Sequence, residues 1–336
     1  MRAKVIEIYH LKSGLKTFLD SDNLWGNLCW AFRYLYGEKV LSEFLDSYLM
    51  NEPQLILSSA FPFYRQDDKT RYFFPRPILP PKDFSYIRQQ NAQKKFHEKI
   101  QDIAQRKKQK KILFLEKEDF QKVILGEMDA DNMNFQEYPK WISNSVTKNQ
   151  INRIKGGTIE IKGTGQLFAE EEWFLNFSDD FPSGLFFWAH DHTHGKLEAA
   201  LRLLSHIGIG GNRTTGKGVF DFHVHDLELI EPENPNLLTN LSLYAPTPNE
   251  LQFFQTHRER FFYQLENKTG TFGELKNGQF RKKTTTLFKE GSVFPFLEQK
   301  AYGFNQKVYQ KRENILNDYD VYQLGMPFML KMFVKI

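Results

Sequence analysis

The chain has 336 residues, 40% of them hydrophobic and 15% aromatic, and a formal net charge of +4. That length accommodates two ordinary domains and that apolar content excludes a disordered protein, while so mild a charge does not by itself establish a nucleic-acid partner. Cys29 is the single cysteine, so an internal disulfide and a thiolate metal cluster are excluded, and beside Leu28 and Trp30 it reads as a core residue.

Met1-Arg2-Ala3-Lys4 leads straight into a strand-like segment rather than a signal-peptide core. No apolar run approaches the ~20 residues that cross a bilayer, so a cytoplasmic chain with no membrane partner is expected. Residues 4–10 read as a strand. Residues 23–36 predict a helix with Asp22 as N-cap and Leu24, Leu28, Phe32 and Leu35 facing inward. Residues 38–49 predict a second helical piece, with Val40, Leu41, Phe44 and Leu45 at core spacing. Strands are predicted at 55–59 and 72–74.

From Pro80 to about Gln150 the strand and turn rhythm lapses, which predicts an insertion with a polar loop from Asp129 to Asn134. Between Lys94 and Lys111 eight Lys/Arg residues stand against only Glu98 and Asp102. Phe96, Ile100 and Ile103 give this segment a modest apolar stripe. Such a run is attracted to a phosphate backbone, and equally forms a solvated helix or a mobile insertion. Strands are expected next at 157–161, 172–177 and 185–189, then a helix at 196–206 and a strand at 218–228. This β-α-β-β-α-β order is the ferredoxin-like pattern. Pro232 and Pro235 mark a linker, and segments at 241–244, 259–265, 280–288 and 327–334 suggest a second, more divergent β-rich unit.

The richest chemistry lies between helix 196–206 and strand 218–228, where Gly208, Gly210, Gly211, Gly216 and Gly218 surround Asn212, Arg213, Thr214, Thr215 and Lys217. Glycine takes positive φ and lacks the Cβ that would hold a ligand away, so several N–H groups can converge on phosphate oxygens while the two cations neutralise charge. Gly211, Gly216 and Lys217 fit the front of a nucleotide-binding P-loop, but Gly218 lacks the hydroxyl that holds Mg²⁺. The context is also reversed, because a P-loop follows a strand and opens a helix. The plain alternative is a tight helix-to-strand turn.

Helix, glycine-rich turn and closing strand resemble the first domain of the CRISPR-associated RAMP superfamily. The likeness extends to Ser21-Asp22-Asn23-Leu24-Trp25-Gly26-Asn27-Leu28-Cys29 and to Tyr72-Phe73-Phe74-Pro75-Arg76-Pro77. It continues through Ile151-Asn152-Arg153, Gln166-Leu167-Phe168 and Glu170-Glu171, and ends with Lys289-Glu290-Gly291-Ser292-Val293-Phe294 and Gly325-Met326-Pro327-Phe328. The last two are similar to elements of the fourth-subunit family of the type III-A (Csm) effector complex. The resemblance implies an α+β fold of two ferredoxin-like (RRM-like) domains, 1–230 with the insertion and 231–336. It further implies a non-catalytic, cofactor-free structural subunit. Such a subunit caps the 5′ handle of CRISPR RNA and docks the large polymerase-like subunit and an adjacent backbone RAMP subunit. Two such units side by side would offer an open sheet face and a cleft lined by the glycine loop, suited to single-stranded RNA. Arg213 and Lys217 are the first candidates for its backbone, with N–H groups around Gly210 and Gly211. Ser21, Asp22 and Arg76 are further candidates by resemblance, whose structural alternatives are helix capping and turn packing.

Three other constellations compete. His190, His192 and His194 alternate and could place three imidazoles around one Zn²⁺, or belong to a polar turn before Gly195. His223 and His225 also alternate, with Phe222 and Val224 opposite, as in an ordinary half-buried strand. His10 with Lys12 stands where RAMP endonucleases carry an acid/base histidine, which makes metal-independent RNA processing the alternative function. The runs Glu170-Glu171-Glu172 and Asp179-Asp180 are expected to keep edges and turns solvated.

Overall fold

The computed structural model describes residues 1–11, 13–79, 111–128, 136–152, 154–161, 164–165, 167–176, 182–270, 282–310 and 319–335. Lys12, Arg153, Gln166, Asp179, Asp180, the 129–134 loop and all of the basic segment except Lys111 lie outside them. In chain order the first part carries β1 (Arg2–Tyr9), α1 (Ser21–Leu49), β2 (Leu55–Leu57), β3 (Phe61–Gln66), β4 (Lys69–Pro75), β5 (Phe114–Glu116) and α2 (Lys117–Ile124). It continues with β6 (Lys140–Asn149), β7 (Leu167–Asn176), β8 (Ser183–Asp191), α3 (Lys196–Ile207) and β9 (Asp221–Glu228). The C-terminal part adds β10 (Leu237–Asn240), α4 (Pro248–Thr256), β11 (Leu265–Lys268), β12 (Thr285–Phe288), β13 (Val293–Pro295), β14 (Gln306–Tyr309), β15 (Val321–Gln323) and β16 (Met329–Met332).

A seven-stranded antiparallel sheet dominates the first part, in the order β9-β1-β8-β3-β4-β5 with β2 also on β8. β1 and β8 are central and buried on both faces, which is why Val5-Ile6 and Phe186-Phe187-Trp188 read as continuous apolar runs rather than alternating ones. Ile6, Ile8, Leu185 and Phe187 face α1 and α3, where Leu24, Leu28, Phe32, Leu197, Leu201 and Leu204 complete one core. Val5, Phe61, Phe186 and Trp188 face the other way, against α2 and against Phe328, Leu330 and Met332 of the C-terminal part. Phe328 is fully buried, 5.9 Å from the Trp188 ring and stacked on His190 at 4.5 Å. Burial on that scale contributes about 1.5–3 kcal/mol per large side chain. The expected open sheet face is therefore mostly covered, and the C-terminal part supplies the cover.

The break expected after residue 36 falls at Gly37, whose φ of 83° interrupts α1 between its two helical stretches. In the first stretch Leu24, Leu28 and Phe32 face inward as expected while Leu35 is exposed beside the break, and in the second Phe44 is buried with Leu41 and Leu45 packed against the same core. The N-cap is Asp20, not Asp22, and its side chain makes no cap hydrogen bond. The segment 80–150 is only partly an insertion. Residues 114–116 extend the main sheet, and 140–149 pairs over ten positions with 167–176 to form a ribbon, β6–β7. Sequence rhythm hid β6 because most of its residues are exposed on both faces, so no alternation marks it. The described C-terminal residues form a three-stranded sheet, β13-β10-β16, two hairpin-like pairs and a single α-helix, α4. A capping box at Thr247 and Glu250 starts α4.

Candidate nucleic-acid interface

α3 is amphipathic, with Leu197, Ala200, Leu201 and Leu204 buried against the sheet, and it ends at Gly208 with φ of 87°. The glycine loop then closes on itself. Ile209 N–H donates to Gly218 O at 2.9 Å, and Gly218 N–H donates to Ser13 Oγ at 2.9 Å. A Cβ on Gly208 would stand 2.2 Å from Lys217 O, and one on Gly218 would stand 2.1 Å from Ile209 O. Both glycines are therefore required by backbone contact as well as by φ. Ile209 and Phe220 anchor the two ends in the first core.

Between those ends Gly210 and Asn212 take φ of 83° and 65°, and Arg213–Thr215 form a short 3₁₀ turn. The N–H groups of Gly210, Gly211, Asn212 and Arg213 have no acceptor among the described residues. Successive N–H groups in such a turn form an anion-binding concavity. The Arg213 side chain is half-buried and has no ion-pair partner among the described residues. Thr215 Oγ1 donates back to Asn212 O at 2.8 Å, which rigidifies the turn. Of Thr214 only the backbone is described.

Lys217 is placed differently from the expectation. Its ammonium donates to the buried carboxylate of Glu172 on β7. Lys148 of β6 reaches both Glu170 and, at 3.4 Å, Glu172, while Lys16 pairs with Glu170. Asn212 Nδ2 donates to Glu170 Oε2 at 3.0 Å. Lys148 and Lys16 hold the Glu170 carboxyl down to about 2, and Lys217 lowers that of Glu172. The solvated-edge reading of Glu170 and Glu172 is thus corrected, because at alternate positions they share one ribbon face that packs on the loop. Three ammonium groups share two carboxylates, so the lattice keeps one excess positive charge beside Arg213. Lys16 and Lys148 were not legible as site residues, since the bridge between Leu15 and Trp173 brings the first to the loop and the register of β6 with β7 brings the second.

The resemblance-based candidates do not gather here. Ser21 is fully buried; its N–H donates to Ser59 Oγ and its hydroxyl accepts from Leu243 N–H at 3.0 Å, joining the two parts of the chain. Asp22 accepts from Gln323 Nε2 at 3.3 Å, and burial raises its pKa. Arg76 follows β4, its N–H donating to Leu113 O at 2.9 Å and its carbonyl packed against Gly291. The histidine trio does not converge: His190 stacks on Phe328, His192 N–H donates to Gln54 O, and His194 has φ of 55° in a turn. Asp191 accepts from Thr193 N–H and Oγ1 to shape that turn, and no three metal-ligating side chains cluster among the described residues. His10 is exposed and bound through Nδ1 to Asp221 at 3.0 Å. No helix among the described residues is long and apolar enough to cross a membrane.

With this geometry in place, residues 233–332 match the family model of the CRISPR Csm4 C-terminal domain. Over 300 residues the chain is 26% identical to the CRISPR system Cms protein Csm4 of Streptococcus thermophilus, covering 85% of each. In fold it is similar to a chain in the crystal structure of a Csm1-Csm4 cassette in complex with AMPPNP, with a TM-score of 0.61, 16% identity and 100% of both chains covered. It is similar also to a chain of a Csm3-Csm4 subcomplex of the type III-A CRISPR-Cas interference complex, with a TM-score of 0.53, 17% identity and coverage of 99% and 100%. The resemblance to the fourth Csm subunit, drawn from the segments Lys289 to Phe294 and Gly325 to Phe328 together with the motifs before them, is borne out.

Proposed function

We propose that the chain is a non-catalytic RNA-binding subunit of a type III-A CRISPR ribonucleoprotein. It caps the 5′ handle of CRISPR RNA in the cytoplasm, and it docks the large polymerase-like subunit and an adjacent backbone RAMP subunit. The names of the similar proteins support the assembly, since they pair Csm4 with Csm1 and with Csm3. In this reading residues 1–230 are a ferredoxin-like RAMP unit and 231–336 a second, divergent one.

The observation that carries the RNA-binding role is the row of N–H groups from Gly210 to Arg213 that have no acceptor among the described residues, flanked by the Arg213 guanidinium and the lysine excess of Lys16, Lys148 and Lys217. Backbone N–H groups and cations hold phosphates without reading bases, which suits a constant handle docked by position. The test is to incubate the full chain with 5′-labelled repeat-spacer RNA, with and without EDTA, scoring binding and cleavage together. Binding without cleavage supports the capping role. Cleavage at one repeat position that persists in EDTA overturns it in favour of the processing endonuclease centred on His10.

A further inference from the structure

The C-terminal part and α2 leave one end of the second sheet face open. There a concavity of about 740 Å³ is lined by Glu7, Arg65, Thr70, Tyr72, His223 and His225, with Asp67 and Asp68 at its rim. Register explains the grouping: Glu7 of β1 lies opposite His223 and Val5 opposite His225, so both imidazoles rise on the face that carries Glu7. The alternation that read as an ordinary strand thus places two histidines beside an arginine that comes from β3.

The polar groups are fixed by one another. Glu7 is buried and is bound by the Arg65 guanidinium and by the Tyr72 hydroxyl, which donates to Oε1 at 2.5 Å. With the Tyr72 proton committed to Glu7, the 3.0 Å contact between Tyr72 and His225 Nε2 is a bond donated by the imidazole. That holds the His225 ring in place, and the exposed His223 ring stacks on it at 5.5 Å with 24° between planes. Across the opening the Arg65 guanidinium lies 5.7 Å from the Tyr9 ring centre and stays partly exposed. The concavity therefore has two planar walls, an imidazole pair and a guanidinium.

Planar walls of this kind stack nucleobases. Charge narrows the ligand further. Arg65 is neutralised by Glu7, and Asp67 and Asp68 repel a phosphate-rich nucleotide, whereas these exposed carboxylates suit the donor edges of a base. We propose that this pocket takes one unpaired nucleobase of a single-stranded RNA, stacked on His223 and flanked by Arg65. His223 stands five positions after Gly218, a span of at most about 18 Å, so a strand leaving the glycine loop along β9 passes the pocket within a few nucleotides.

The assignment goes beyond the glycine-loop reading and fails separately from it. The full chain is titrated with a fluorescein-labelled single-stranded RNA of about a dozen mixed nucleotides, by anisotropy at several salt concentrations. His223→Ala is expected to weaken binding about fivefold to a hundredfold with no change in salt slope, because stacking releases no counterions. His223→Phe is expected to restore it. An unchanged affinity for His223→Ala, no rescue by Phe, or a reduced salt slope would overturn the pocket. So would a free mononucleotide that competes as well as the RNA does. Loss of slope in Arg213→Ala with normal behaviour of His223→Ala would leave the loop standing and the pocket refuted, and the converse would do the reverse.

Discussion

The ammonium of Lys217 in the glycine loop is held by the buried carboxylate of Glu172, forty-five residues earlier on the β6–β7 ribbon. The cation that a motif reading assigns to RNA is therefore first a structural tie, which fixes the loop against a ribbon. Lys148 and Lys16 extend the tie to Glu170.

Loss of that tie should be measurable. Glu172→Gln leaves Lys217 and Lys148 next to a neutral amide in a buried position, and we expect a loss of about 1–3 kcal/mol in urea unfolding. A double-mutant cycle with Lys217→Ala should show coupling, because each change removes the same contact. Additive effects would mean the pair does not hold the loop.

The two loop cations should differ in binding. Arg213→Ala should lower the slope of log affinity against log salt by about one, as expected for one lost phosphate contact. Lys217→Ala should lower it less, since its charge is already paired with Glu172. Equal slopes for the two variants would count against this division of labour.

Glycine positions separate strain from contact. Gly216 has φ of 78° with nothing within 4 Å of an added Cβ, so Gly216→Ala should cost only the ~1–2 kcal/mol of the left-handed conformation. Gly218→Ala adds a clash 2.1 Å from Ile209 O and should cost clearly more, read by thermal or urea unfolding.

One carboxyl should set a pH dependence. Burial raises Glu290 to about 7, with the nearby Asp20 charge adding to it and the Ser59 hydroxyl bond opposing it. Folding then favours the protonated form. The contribution of this group is complete below about 4.5 and is lost as pH rises through about 7. Stability should fall by about 1–3 kcal/mol between pH 5 and pH 8, and Glu290→Gln should flatten that fall. A variant with the same pH profile as the unaltered chain would refute this.

Phe328 joins the two parts of the chain through Trp188 and His190. Phe328→Ala should cost about 3–5 kcal/mol as a cavity opens in a core shared by both parts, seen as one cooperative transition shifted to lower urea. Two separated transitions would show that the parts fold independently.

Sequence alone determined the elements whose apolar pattern is local. The helical stretches on either side of Gly37, α3, the central strands β1 and β8, and the glycine-rich turn before β9 all follow from spacing and punctuation within a dozen residues. So did the loop's ability to reach positive φ. Tertiary structure decided what those residues meet. Ser21 was given to Leu243, Lys217 to Glu172, and the sheet face to Phe328, each across a long stretch of chain. No local period encodes such partners, because strand register and the packing of the two parts fix them together. The pocket beside His223 has the same origin: alternation put two imidazoles on one face, but only the sheet order β9-β1-β8-β3 brought Arg65 and Glu7 to them.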